Sequence, residues 1–197
     1  MERTLSWLLP LLLLTACAGQ TPPARFHVLA ATVPPAPVQR HRPVLALAPV
    51  RLPDYLDRAQ LVRRIGPTTL KVDEFERWGG DLGADLQRVL GEDLARLLGS
   101  DGVILLPTDT AVRPDQRLGI EMLRFEGDAQ GRVVLQVQWR LIDAREERLL
   151  ALGRERIQVP MDGTDATAQV AAMSRAVAEL ARRLAAVLSK PAAIQSP

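Results

Sequence analysis

The sequence predicts an α+β fold: a mixed, mainly antiparallel sheet with two main helices packed on one face. Three observations carry this. Residues 118–159 hold three strand-length apolar patterns joined by two short turns. Two leucine- and valine-rich stripes recur at helical spacing, Leu82, Leu86, Leu90, Leu94, Leu97 and Val170, Met173, Val177, Leu180, Leu184, Leu188. Between them lie brief apolar runs bounded by proline and glycine, the punctuation of short strands.

Arg3 precedes the apolar run Leu5 to Leu14, and Thr15-Ala16-Cys17 follow it. A charged start, a short apolar core and small residues form a secretory signal, residues 1–16. The run is about half the length a membrane-spanning helix needs. Leu14-Thr15-Ala16-Cys17 resembles a bacterial lipobox. The thiol of Cys17 would take a diacylglycerol, and the small side chains at 15 and 16 admit a peptidase. Cys17 then becomes the acylated N-terminus, and this covalent lipid is the sole non-protein group expected. Cys17 is the single cysteine, so an exported, acylated chain has no disulfide to form. Residues 17–24 read as a flexible tether.

Residues 25–190 read as one domain. Arg25 to Ala30 is a strand, and Val33 to Pro37 a proline-rich loop. Val44 to Val50 is continuously apolar, as in a strand buried on both faces. Leu61 to Ile65 and Thr69 to Val72 are short strands about Gly66-Pro67. Asp81 caps a helix running to Leu98, and Gly99 stops it. Val103 to Leu106 is a short buried strand. Leu118 to Glu126 opens a meander. Val133, Leu135, Val137, Trp139 and Leu141 then alternate with more polar positions, and Leu149 to Val159 runs back. Thr164 to Lys190 is the last helix, with Arg175, Glu179, Arg182 and Arg183 off its buried stripe. Trp139 and Leu184 are expected in the core. Residues 191–197 read as a flexible tail.

Aromatics make up only 4% of the chain, so Leu, Val and Ala must fill that core. A net charge of +2 without a Lys/Arg cluster points away from nucleic acid. His27 and His41, the two histidines, have no spaced partner for metal or base chemistry. No serine sits in a nucleophile elbow. The neighbouring carboxylates Asp73-Glu74 and Glu146-Glu147 point apart. The sequence therefore predicts no catalytic residues and no metal site.

The segment from Pro49 to Arg63 is unusual. It holds the only tyrosine, two prolines and several charges among apolar residues. Pro49 and Pro53 stiffen the path out of the strand. Tyr55 offers an apolar ring with a polar tip. Asp57 and Arg58 could fasten the loop to the sheet edge, or the loop could be a recognition surface; both readings stand.

Pro49-Val50-x-Leu52-Pro53-x-Tyr55-Leu56-Asp57-Arg58-x-Gln60-Leu61-Val62, ending at Arg63 or Arg64, resembles the signature of the PqiC-like, ABC-type transport auxiliary lipoproteins. Phe75-x-Arg77-Trp78-x-x-x-Leu82 and the strand from Arg25 to Leu29 fit too, so the resemblance covers nearly the whole mature chain. Gly79-Gly80-Asp81 departs from the family's usual Ala-Glu-Pro. The resemblance implies a non-catalytic partner of MCE-type systems, which move lipids between the membranes of Gram-negative cells. It would dock a periplasmic MCE-domain protein to the outer membrane, as a ring of identical copies in one version. Ala18 lacks the aspartate that often retains lipoproteins at the inner membrane. The motif residues Pro49, Leu52, Pro53, Tyr55, Leu56, Asp57, Arg58, Gln60, Arg77 and Trp78 become the candidate partner-binding set. A stand-alone envelope-binding lipoprotein and a lipid- or solute-binding protein are the other classes.

Overall fold

The structure is a computed structural model that describes residues 22–35, 37, 43–108 and 111–189. Cys17 and the signal segment, His41 and the tail lie outside the described residues. The strands are β1 Arg25–His27, β2 Leu45–Leu47, β3 Gln60–Arg64, β4 Leu70–Trp78, β5 Val103–Leu105, β6 Gln116–Gly127, β7 Arg132–Asp143 and β8 Arg148–Pro160. The helices are α1 Leu82–Leu98 and α2 Ala166–Leu188.

Strict alternation in β7 produces the meander. β6, β7 and β8 pair antiparallel, with Leu118, Leu141 and Ala151 in one row and Phe125, Leu135 and Ile157 in another. That face buries Leu118, Ile120, Val137 and Ile157 against the helices. Trp139 is buried there too, and its ring lies on Gly153, where a Cβ would stand 2.6 Å from the ring's Cζ2. Only glycine fits beneath the indole.

The other edge of β6 is shared along its length. β2 pairs with it in parallel at Gln116–Leu118, Arg51 bridges at Glu121, and β3 joins at Gly127. Beyond β2 lies β5, and beyond β3 lie β4 and β1. Leu45, Ala46 and Leu47 are all buried, as a continuous apolar run requires. β5 differs from expectation. It sits at a sheet edge, half-exposed, because among the described residues β2 supplies its only strand partner.

Both helices start on an aspartate. Asp81 accepts from the Ala84 N–H at 2.6 Å, and Asp165 accepts from the Ala168 N–H at 2.7 Å. Gly99 ends α1 in the left-handed region, φ 56°. α2 packs on β7 and β8 and alongside α1, and its alanines Ala172, Ala176 and Ala181 are buried. Small side chains let the helix lie close to the sheet.

The segment after β1 corrects the sequence reading. The strand ends at His27, and residues 28–33 form an extended strap sewn to the helices by side chains. Leu29 N–H donates to Asp85, Ala30 N–H to Ser174 and Val33 N–H to Asp93, at 2.6, 3.1 and 3.0 Å. Arg88 returns a bond to the Leu29 carbonyl, and Arg96 to those of Ala31 and Val33. Leu29 and Val33 are buried beneath. At its start, Arg25 and His27 both bond Glu76. Burial pushes the Glu76 pKa up, but those bonds outweigh it and hold the carboxyl below its usual range.

Asp93 is fully buried, and its Oδ2 has no partner among the described residues. Burial pushes its pKa up, against the Val33 N–H and the Arg96 charge. A carboxyl raised in the fold stabilises it below the unfolded value and loses that contribution as pH climbs through the folded one. Asp93→Asn is therefore expected to melt above the wild type at pH 7, with the gap closing toward pH 4. Thermal melts across that range check it; a gap that widens on acidification contradicts it.

Candidate functional site

Proline and apolar residues carry the chain from β2 across to β3. Arg51 N–H donates to the Ile120 carbonyl and Met122 N–H to the Arg51 carbonyl, so the path follows β6. Leu52 is half-buried against the core. A turn follows, closed by Leu56 N–H on the Pro53 carbonyl at 2.9 Å. Leu56 is buried, which fixes the turn to the core, and Tyr55 beside it is half-buried against the same core.

There the Tyr55 hydroxyl donates to Glu126 Oε2 at 2.7 Å. Glu126 is 0% exposed. Its Oε2 also accepts from the Phe125 N–H at 3.0 Å, and Oε1 from Arg64 Nε at 2.7 Å and Arg124 Nε at 3.0 Å. Each oxygen thus has two donors, and the charge has two counter-ions, which is what burying a carboxylate demands. The Arg64 guanidinium also lies over the Tyr55 ring, 5.7 Å from its centre. Burial first, then the bond to Glu126, pushes the Tyr55 pKa well up, so the hydroxyl stays a donor. The same carboxylate raises Arg64.

The motif residues divide. Tyr55 and Leu56 lock the loop. Trp78 belongs to the core, 5% exposed, and its backbone N–H donates to the Ala59 carbonyl at 2.7 Å, joining the loop to β4. Gln60 Nε2 reaches Glu74 at 3.4 Å, and Arg77 Nε the Glu74 carbonyl at 2.9 Å. Pro49, Asp57 and Arg58 are exposed. Neither Asp57 nor Arg58 makes an ion pair among the described residues, so the loop is fastened by Tyr55 and Leu56 instead. Next to Trp78, Gly79 lets Val28 approach: a Cβ there would stand 3.1 Å from Val28 Cγ1.

Sequence reasoning missed Glu126 and Arg124. The strand shifts register between Met122 and Arg124, which moves Glu126 out of the phase that alternation predicts. It reads as a strand-end charge. The β4 strand was also too short in that reading, because Asp73, Glu74, Glu76 and Arg77 hide its period.

Tyr55→Phe removes one donor from a buried carboxylate. It is expected to cost about 1.5–3 kcal/mol, the range for bonds to charged groups. Urea unfolding of the two proteins measures it, and a change under about 0.5 kcal/mol would detach the hydroxyl from the cluster's stability.

Among the described residues, no group of three His, Cys, Asp or Glu could hold a metal, and no helix is long and apolar enough to cross a membrane. Residues 27–185 match the family described as the ABC-type transport auxiliary lipoprotein component. No curated protein matches the chain. The fold is similar to that of protein XCC0632 from Xanthomonas campestris, of the family DUF330, at 20% identity and TM-score 0.71. That match covers 82% of this chain and 93% of the other. A second crystal structure, of an uncharacterized protein, shares 17% identity at TM-score 0.71, over 85% of this chain and 100% of the other.

Proposed function

The chain belongs to the ABC-type transport auxiliary lipoprotein family, and from that premise we propose that it is a non-catalytic dock for a periplasmic MCE-domain assembly at the outer membrane. The family match across nearly the whole domain is the observation that carries the reading. The auxiliary role in the family's description supports a structural part rather than a turnover step. Acylation at Cys17 holds the domain at the membrane, with Ala18 directing it to the outer one. A ring of identical copies would present several docking loops to one assembly.

The loop geometry supports a division of labour. Tyr55 and Leu56 hold the turn rigid, while Asp54, Asp57 and Arg58 stand in solvent. Exposed charges on a fixed turn can contact a partner without first being ordered. Because Tyr55 also supports the fold, the exposed pair is the better place to test binding.

Acylated, tagged protein is purified from solubilised envelopes and its companions are identified by mass spectrometry. An MCE-domain protein is expected among them. Asp57→Ala with Arg58→Ala should weaken that capture without moving the melting temperature. Capture of no MCE or ABC component sinks the docking reading. Cys17→Ser is expected to leave the protein uncleaved or in the soluble fraction. Outer-membrane fractionation of that variant, with no acyl mass on the wild type, removes the lipid anchor.

A further inference from the structure

The face of β6–β8 turned away from the helices is basic. Cross-strand rows on it run Gly119–Arg140–Leu152, Glu121–Gln138–Arg154 and Arg124–Gln136–Arg156. Arg140, Arg154 and Arg156 are exposed, and none makes an ion pair or side-chain hydrogen bond among the described residues. Many arginines elsewhere are paired, as Arg88 is with Asp85 and Glu92, and Arg183 with Glu155 and Glu179. The bare backbone of Gly119 seats Arg140, whose Nε lies 3.3 Å from where a Cβ would stand.

Two clefts open on this face. One, of about 510 Å³, sets Arg51, Arg140 and Arg154 against Glu121 alone. The other, of about 370 Å³, sets Arg64, Arg124, Arg132 and Arg156 against Asp128, with Glu126 beneath. Seven guanidiniums therefore meet three carboxylates, on one face of a chain whose net charge is +2. Four of the seven already pair with those carboxylates, so Arg140, Arg154 and Arg156 are the unbalanced charge, and a surplus of one sign in a cleft concentrates the opposite sign.

Two large apolar side chains adjoin the arginines at one end. Leu149 is 50% exposed and Leu152 is 68% exposed. Arginine beside exposed leucine matches the boundary between headgroups and acyl chains, where cations meet phosphate and apolar groups leave water. An acidic protein would answer the arginines and leave the leucines in solvent. The anchor has the reach. Residues 17–24 extend about 28 Å at most, and five strand spacings from β1 to β8 come to about 24 Å.

We propose that this face lies on a bilayer surface rich in anionic phosphate headgroups, with Arg140, Arg154 and Arg156 on the phosphates and Leu149 and Leu152 at the acyl boundary. The inference rests on the lipoprotein reading, because the anchor brings the face to the bilayer.

The test uses the acylated protein in nanodiscs of phosphatidylcholine alone or with phosphatidylglycerol, labelled with phenylglyoxal and mapped by mass spectrometry. Labelling of the three arginines should fall about fivefold in the anionic discs. Protection should fade in 0.5 M salt, while Arg182 on α2 labels equally in both. Equal labelling of the three in both discs overturns the proposal. So does protection by inorganic phosphate alone, which marks a site for free anions. Protection that grows with protein concentration in neutral discs overturns it too, marking contact between copies. Co-migration with the discs on size exclusion is scored separately, so a failed anchor and a failed face are told apart. With Arg140→Gln, Arg154→Gln and Arg156→Gln combined, which removes no ion pair recorded among the described residues, the melting temperature stays and salt-sensitive protection of neighbouring Arg132 is lost.

Discussion

Glu126→Ala is expected to destabilise the domain by about 3–5 kcal/mol, the range for breaking a buried ion pair from one side. The carboxylate accepts from Tyr55, Arg64, Arg124 and the Phe125 N–H, and it is wholly out of solvent. Alanine removes all four acceptor contacts. It leaves a cavity beside the Tyr55 hydroxyl and strands two guanidiniums that keep only 22% and 26% side-chain exposure. Glu126→Gln is the informative companion. It keeps the volume and one acceptor oxygen, so it should recover part of the loss. Urea unfolding of the three proteins measures the series. A Glu126→Ala cost under about 1 kcal/mol would mean that the cluster breaks even against its own desolvation.

Leu184→Ala is expected to cost about 2–5 kcal/mol. Leu184 is 1% exposed between α2 and the sheet. Its neighbour in sequence tests the helix face. Arg183 pairs with Glu155 and Glu179 at the surface, where such bridges contribute about 0–1 kcal/mol. Arg183→Ala should therefore barely shift the unfolding midpoint. Equal effects would place the two residues on the wrong faces.

Much of this fold was legible because periodicity survives wherever one face is buried and the other is wet. The β7 alternation, the two helical stripes, Asp81 and Gly99 all carried their structural meaning in the residues themselves. Of the apolar run Val44 to Val50, only Leu45 to Leu47 form a strand buried on both sides, and the run leaves the sheet at Ala48 and the exposed Pro49. What failed was decided at a distance. β4 is a strand because β1 and β3 flank it, although its charges resemble a loop. Residues 25–30 look like one strand in isolation, but pairing with β4 ends at His27, and carboxylates and arginines more than fifty positions away take the backbone groups that follow. The candidate site was half visible. Tyr55 stood out as the only tyrosine, while Glu126, its partner, is separated by 71 positions and a register shift.

That strap bears on how the domain takes load. A pull on a lipidated Cys17 reaches the fold at Arg25. It meets three paired residues of β1 first, then a series of single side-chain links to Asp85, Ser174 and Asp93. A ladder loaded along its strands shares force among its rungs, whereas separate links open one after another. Tension would therefore peel β1 from β4 and then the strap from the helices before it reached the meander. The released length is roughly 35 Å. With Cys17 lipidated as proposed, the strap would pay out length between membrane and domain, and the sheet behind it would keep its shape while the distance to the bilayer changed.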